Sequence, residues 1–141
     1  MRKALITLTL ALGLGSMFPS FATLPPEEIL KDYVMEKGYS EVSQNIAHAL
    51  IESGAGVLVD VRTQGEFDAG HIEGALNIPV DEIKPGVDPA LLPDKHKPVL
   101  LYCRTGRRAT TAGQRLVANG YEYVVNFGGV STWHYGLIAT P

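Results

Sequence analysis

Short apolar runs alternate with amphipathic stretches along most of the chain, which predicts strands alternating with helices. Three runs are short and apolar enough to be buried strands, at residues 57–59, 99–102 and 123–125. A further strand is predicted at 75–78, where Pro79 closes it. Because helical stretches separate these strands, we predict an α/β fold with a mainly parallel central sheet and helices on both faces.

The amphipathic stretches define the predicted helices. Residues 40–53 place their apolar side chains on one face, and Gly54 follows as a stop. One or two helical turns are predicted at 63–69, with Phe67 facing inward. Further helices are predicted over 25–37, from the loop after residue 103 to about residue 119, and after Gly128 and Gly129 through Trp133 and Leu137.

The first 22 residues have the pattern of a secretory signal peptide. Arg2 and Lys3 precede an uncharged run at 4–15 that is too short to span a bilayer comfortably. Ser20-Phe21-Ala22 then provides small residues at the −3 and −1 positions of a cleavage site after Ala22. We therefore predict export of the chain, without stable membrane insertion once the leader is removed.

Composition limits the organisation and the partners of the remaining chain. Its 141 residues, 45% hydrophobic and 19% charged, suit one globular domain, which we place at 40–141 after a helical N-terminal extension at 23–39. The net charge is −3, and removal of the leader takes away only positive charges, so a nucleic-acid partner is not expected. The single cysteine excludes an intramolecular disulfide. His48, His96 and His134 are scattered along the chain without the spacing of metal ligands, so no metal site is predicted.

Cys103, the only cysteine, follows the apolar run at 99–102 and begins a loop that contains three arginines. A strand, a tight loop and a helix in this order direct backbone N–H groups and the positive end of the helix dipole into one small space. The helix end favours an anion there by between about 0.3 and about 2 kcal/mol, and an arginine about 5 Å away adds about 3 kcal/mol. We therefore predict that Cys103 lies at the rim of a cavity as a thiolate nucleophile that needs no histidine, because the arginines disfavour apolar burial.

Several motifs follow one another in a defined order over roughly residues 40–138. They are Asp60-Val61-Arg62, Glu66-Phe67, Gly70-His71-Ile72-Glu73-Gly74-Ala75, Asn77-Ile78-Pro79, Tyr102-Cys103-Arg104-Thr105-Gly106-Arg107-Arg108, Gly128-Gly129 and Trp133. Together they resemble the single-domain rhodaneses, a family of thiosulfate sulfurtransferases. With the leader, the chain is similar to the exported, periplasmic members of that family.

The resemblance implies that Cys103 takes a sulfur atom from thiosulfate or a related small anionic donor as a persulfide. It then passes that sulfur to cyanide or a thiol, and no cofactor is required. Arg108 lies at the family's loop-closing position, and Arg104 and Arg107 are expected to contact the sulfonate of the donor. The substrate-binding residues implied are Arg104, Thr105, Gly106, Arg107 and Arg108. The residues implied to support the site structurally are Asp60, Arg62 and His71.

Two other functions stay open at this point. A phosphatase or arsenate reductase with a similar fold would resemble a Cys-x₅-Arg loop, whereas Cys103 and Arg108 form a shorter Cys-x₄-Arg loop. The second alternative is a persulfide carrier or redox partner, in which turnover of thiosulfate is incidental. The intact Cys103 counts against an inert version of this alternative, a domain that only binds anions.

Overall fold

The computed structural model describes residues 24–141, and the strands of this region form one five-stranded sheet. The strands are β1 (Gly38–Glu41), β2 (Val57–Asp60), β3 (Leu76–Asn77), β4 (Val99–Cys103) and β5 (Tyr123–Gly129). Their order is β1-β5-β4-β2-β3, and every neighbouring pair is parallel. All five residues of the central strand β4 are buried, as its uninterrupted apolar run predicts.

Helices cover both faces of the sheet, which confirms the predicted α/β fold. They are α1 (Pro26–Ile29), α2 (Gln44–Glu52), α3 (Gln64–Ala69) and α4 (Arg107–Ala118). On one face α4 packs Ala112 and Leu116 against the odd-numbered residues of β4. On the other face α2 packs Ala47 and Leu50 against the even-numbered residues. The central strand therefore lies between two apolar cores.

The parallel arrangement brings the carboxyl ends of β2, β4 and β5 to one edge of the sheet. The last residues of these strands are Asp60, Cys103 and Gly129. Leu101 pairs with Asn126 while Cys103 pairs with Gly129, so β5 contains one more residue than β4 between the two pairs. Such a bulge changes the direction of the backbone, here directly beside Cys103.

The predictions for the N-terminal segment are wrong in two respects. The helix expected over 25–37 is confined to α1, and residues 38–41 form β1, which hydrogen-bonds along β5. The predicted helical extension at 23–39 therefore has only four helical residues, and its last two belong to the sheet. The next helix begins at Gln44, because pairing with β5 takes precedence over the helical spacing of the side chains.

The predicted helix after Gly129 is absent from the described chain. Instead, Ile138 and His71 exchange two backbone hydrogen bonds of 2.8 Å in an isolated antiparallel bridge. Gly136 has a φ of +99°, a conformation that interrupts any right-handed helix. Trp133 is nevertheless buried in the core, at 9% exposure. Pairing with a distant turn thus satisfies backbone groups that a helix would otherwise have paired.

The predicted leader at residues 1–22 lies outside the described residues. Over residues 24–141, none of the helices combines the length and the apolar character that crossing a membrane requires.

Candidate active site

Cys103 is the last residue of β4 and lies underneath the loop that follows it. Its side chain belongs to the apolar core on the α4 face, and only 1% of the residue is exposed. The prediction of a cysteine at the rim of a cavity is therefore wrong, because β4 is covered by strands on both sides and the loop folds back over its end. The buried sulfur nevertheless has a polar partner, since Gly106 N–H donates a hydrogen bond to Sγ over 3.0 Å.

The loop at 104–106 is held against β5 by close backbone contact. Gly106, the N-cap of α4, has a φ of +106°, and a Cβ there would lie 3.1 Å from the Cα of Gly128. A Cβ on Gly129 would overlap the carbonyl group of Arg104. The glycines thus allow the two backbones to touch, which keeps the amino end of α4 beside Cys103.

The three loop arginines have two different environments. Arg104 and Arg107 are exposed, and neither forms an ion pair with a carboxylate of the described residues. Arg108 is half-buried, and its Nη1 and Nη2 contact the two carboxylate oxygens of Glu66 over 2.7 and 2.9 Å. These hydrogen bonds raise the pKa of Arg108 despite the opposing effect of burial, and the charges of Glu66 and Cys103 raise it further. Arg108 therefore connects α3 to the first turn of α4, directly after the cysteine loop.

Glu66 is a site residue for which the sequence indicates no role beyond its place in a motif. It lies in the first turn of α3, where Thr63 N–H donates to its carboxylate over 3.0 Å and Thr63 Oγ1 accepts from its N–H over 3.3 Å. The hydrogen bonds from Arg108 are the largest cause that lowers the pKa of Glu66, to about 2. The Thr-x-x-Glu spacing predicts this cap, but it contains no information on Arg108.

Glu66→Gln is expected to lower the free energy of unfolding at neutral pH by about 1 kcal/mol, a value reduced for the partial exposure of the ion pair. The carboxyl pKa is about 2 in the folded protein and about 4.3 in an unfolded chain. The stabilisation is therefore fully present above the unfolded value and is lost as the pH falls through the folded one. Urea unfolding of both proteins along a pH series measures this loss.

The control for this experiment is Glu28→Gln, which removes only an exposed pair with Lys31. Its effect is expected to stay within about 0.5 kcal/mol. A Glu66→Gln difference that is as large at the acid end of the series as at neutral pH would contradict the assignment.

Asp60 and Arg62 form a buried ion pair, with 0% and 6% of the residues exposed. Arg62 Nη2 contacts Asp60 Oδ2 over 2.7 Å and also donates to the carbonyl oxygen of Gly70 over 2.6 Å. Burial alone would lower the pKa of Arg62, but the hydrogen bonds and charge of Asp60 outweigh it and raise that pKa. The pair ties the end of β2 to the turn at Gly70, which supports a structural role for both residues.

His71 is fixed by its neighbours in the turn. Its Nδ1 lies 2.8 Å from the carbonyl oxygen of Phe67, and the two rings stack with centroids 3.7 Å apart. Phe67, which was predicted to face inward, is half-buried against His71. Ile72 N–H donates to the Tyr102 hydroxyl over 3.0 Å, and burial, followed by the charge of Asp60, raises the pKa of that hydroxyl. These contacts also support a structural role for His71.

Two amide side chains beside the loop were not found by sequence reasoning. Gln44 Nε2 donates to the carbonyl oxygen of Gly129 over 2.9 Å. Asn126 Nδ2 donates to the carbonyl oxygen of Gly106 over 3.1 Å, and its Oδ1 accepts from Gly128 N–H over 2.9 Å. Neither residue lies in a recognisable motif, and only the pairing of β5 with β4 brings Asn126 to the loop.

In the described residues, neither a metal cluster nor a large cavity at the far end of the sheet competes with this loop. In the part of the chain that the structure describes, no three His, Cys, Asp or Glu side chains gather as metal ligands. A cavity of about 680 Å³ lies at the amino ends of β2 and β4, where Val57 and Val99 line it, at the opposite edge of the sheet from Cys103. Cys103, the Gly106 N–H donor and the three arginines are all at the loop.

Comparison with known proteins identifies one domain family for this chain. The family described as Rhodanese-like domain matches residues 43–135. Thiosulfate sulfurtransferase PspE of Escherichia coli (strain K12) is 39% identical over 72 residues, which are 51% of this chain and 68% of that protein. Thiosulfate sulfurtransferase GlpE of Coxiella burnetii is 33% identical over 96 residues, which are 67% and 87% of the two chains. The crystal structure of a rhodanese-like domain protein from Staphylococcus aureus is 30% identical, with a TM-score of 0.60 over 74% of this chain and 99% of that one.

Proposed function

Because this chain belongs to the rhodanese-like domain family, we propose that it is a thiosulfate sulfurtransferase that carries the transferred sulfur on Cys103. Relatives named thiosulfate sulfurtransferase support sulfur transfer as its general activity. The observation that carries the proposal is the free cysteine at the end of β4, whose sulfur lies 3.0 Å from Gly106 N–H, with Arg108 in the first turn of the helix that follows.

In the first step, the Cys103 thiolate attacks the outer sulfur of thiosulfate. The S–S bond of thiosulfate breaks, sulfite leaves with the bonding electron pair, and Cys103 becomes a persulfide anion. The attacking species is the thiolate form of Cys103, which needs no general base to act as a nucleophile. The exposed guanidinium groups of Arg104 and Arg107 would bind the sulfonate, and the N–H groups of Thr105 and Gly106 would face the transferred sulfur.

In the second step, cyanide or the thiolate of an acceptor attacks the outer sulfur of the persulfide. The S–S bond breaks, the Cys103 thiolate leaves with the electron pair, and thiocyanate or an acceptor persulfide is released. The sulfur stays bound to Cys103 between the steps, so the reaction requires no cofactor. The same cycle with a protein or small-molecule thiol as acceptor would make the chain a persulfide carrier.

The contact of Arg108 with Glu66 disfavours the phosphatase alternative. An arginine that grips a phosphate or arsenate needs its two terminal nitrogens for the oxygens of the substrate. In Arg108 both nitrogens contact the Glu66 carboxylate, at 2.7 and 2.9 Å. An arginine that is held in place by Glu66 in this way can still stabilise an anionic sulfur on its other side.

Intact mass spectrometry tests the proposal. After exposure to thiosulfate, the protein is expected to gain one sulfur atom, about 32 Da, and to lose it on treatment with cyanide as the chemistry of sulfur exchange requires. Protein whose Cys103 has first been alkylated should gain nothing. A protein that has a titratable thiol but acquires no sulfur from excess thiosulfate would contradict the proposal.

We also propose that the chain acts in the periplasm after removal of residues 1–22, without nucleic acid and without stable membrane insertion. The leader pattern of Arg2, Lys3 and the apolar run at 4–15 supports this location. Cell fractionation of the full chain with a C-terminal tag, combined with sequencing of the mature N terminus, tests it. Retention of Met1 on cytoplasmic protein would contradict it.

A further inference from the structure

Three hydrogen-bond donors converge on the carbonyl oxygen of Gly106, in the loop over Cys103. They are the N–H and the hydroxyl of Thr110, at 2.9 and 3.0 Å, and the side-chain amide of Asn126, at 3.1 Å. The first is an ordinary helical hydrogen bond, but the other two come from side chains. A carbonyl oxygen has only two lone pairs, so this oxygen is more fully occupied than helix formation requires. The direction of the Gly106 carbonyl group is therefore fixed by donors on both α4 and β5.

The direction of this carbonyl determines where the next N–H points. The Gly106 carbonyl and the Arg107 N–H belong to one planar trans peptide, in which they point in opposite directions. The carbonyl points along α4 toward Thr110, so the Arg107 N–H points back toward the loop over Cys103. Donors on the carbonyl oxygen also polarise the peptide, which strengthens its N–H as a donor.

Asn126 is itself held in one orientation. It is 4% exposed, and its Oδ1 accepts from Gly128 N–H over 2.9 Å, which places Nδ2 on the side of the loop. The same Nδ2 lies 3.0 Å from the Tyr39 hydroxyl, which in turn donates to the Glu41 carboxylate over 2.8 Å. A buried amide in a connected network of this kind has little freedom to turn, so it can define the position of a backbone group.

We propose that Asn126 and Thr110 are positioning residues that hold the Gly106–Arg107 peptide so that its N–H faces the sulfur transferred at Cys103. The inference rests on the proposed function and extends it. Neither side chain touches the sulfur, and both act through the peptide. Gly106 N–H, at 3.0 Å from Sγ, and Arg107 N–H then form two consecutive donors for a persulfide anion.

The pair Thr110→Val and Thr110→Ser tests this inference, together with Asn126→Leu. Thr110→Val and Asn126→Leu each remove one side-chain donor and are expected to slow single-turnover persulfide formation at saturating thiosulfate by about tenfold. Each is also expected to move the midpoint of the pH profile of Cys103 alkylation upward. Thr110→Ser keeps the hydroxyl and is expected to restore most of the rate. The neighbouring charged groups, Arg104, Arg107, Arg108, Glu66 and Glu41, are the same in every variant.

Asn119→Leu is the matched control at the other end of α4. Like Asn126, Asn119 uses its amide to donate to a backbone carbonyl oxygen, here those of Lys84 and Val87, and its oxygen accepts from a glycine N–H, that of Gly86. This variant is expected to lower stability without changing the rate or the pH profile. The comparison separates an effect on the loop from a general loss of stability.

Variants of Thr110 and Asn126 that lose stability but keep the wild-type rate and pH profile would overturn the inference. If Asn126→Leu does not fold, the inference is tested by Thr110→Val and Thr110→Ser alone. Equal rates of persulfide formation in these two variants would overturn it. Alkylation needs no thiosulfate, so the pH profile reports on the peptide even if no persulfide forms. Absence of the persulfide in the wild type would instead overturn the proposed function.

Discussion

Cys103→Ser is expected to reduce the formation of thiocyanate from thiosulfate and cyanide by at least about a thousandfold. A serine hydroxyl stays protonated at neutral pH and cannot carry sulfur as a persulfide. The substitution should leave the fold intact, because a serine oxygen can accept the hydrogen bond that Gly106 N–H now donates to the sulfur over 3.0 Å. Colorimetric assay of thiocyanate, with purified protein, measures the effect.

The control for this variant is Thr132→Ser, a conservative change in the chain just after β5. The Thr132 hydroxyl is 3.4 Å from the carbonyl oxygen of Gly129, a weak contact that serine can keep. The control is expected to turn over like the wild type. Turnover by folded Cys103→Ser at more than about a tenth of the wild-type rate would rule out Cys103 as the nucleophile.

Asp60→Ala is expected to lower the free energy of unfolding by about 3–5 kcal/mol, a large part of the about 5–15 kcal/mol of a typical domain. The variant leaves the guanidinium of Arg62 without its carboxylate although only 6% of Arg62 is exposed. The contact from Arg62 Nη2 to Gly70 O, 2.6 Å long, would then be made by a buried guanidinium with no anionic partner. Guanidinium chloride unfolding measures the change.

Removal of both charges provides the comparison for this prediction. The double variant Asp60→Ala/Arg62→Met has no unpaired buried charge, and it is expected to be more stable than Asp60→Ala by at least about 1 kcal/mol. A loss below about 1 kcal/mol in the single variant would show that solvent reaches Arg62 and that the pair is not buried in solution.

The charged contacts of the site extend from the surface to the core. Glu66 and Arg108 form a partly exposed pair, whose contribution to stability is expected to be small but whose geometry fixes the end of the cysteine loop. Asp60 and Arg62 are buried, so the loss of one partner has a much larger effect than the loss of the pair. The first pair is therefore expected to give a small, pH-dependent change in stability, and the second a large one.

The sequence by itself determined the elements whose causes are local. The apolar runs that became β2, β4 and β5 are short and flanked by polar residues, so their burial follows from composition alone. The strand, the loop and the helix around Cys103 are also contiguous in the chain. The hydrogen bond from Gly106 N–H to the Cys103 sulfur spans only three residues. For the same reason, the position of the three arginines in the loop beside Cys103 could be predicted from the chain alone.

Only the tertiary structure decided which distant residues meet at the site. Arg108 and Glu66 are 42 residues apart, and Asn126 and Gly106 are 20 apart. The periodicity of apolar residues predicts which face of an element is buried, but it does not specify strand order or register. That order placed β1 beside β5, replaced the expected last helix by pairing with His71, and buried Cys103 beneath its loop. The free energy of these arrangements lies in contacts between separate segments, which no local pattern of side chains records.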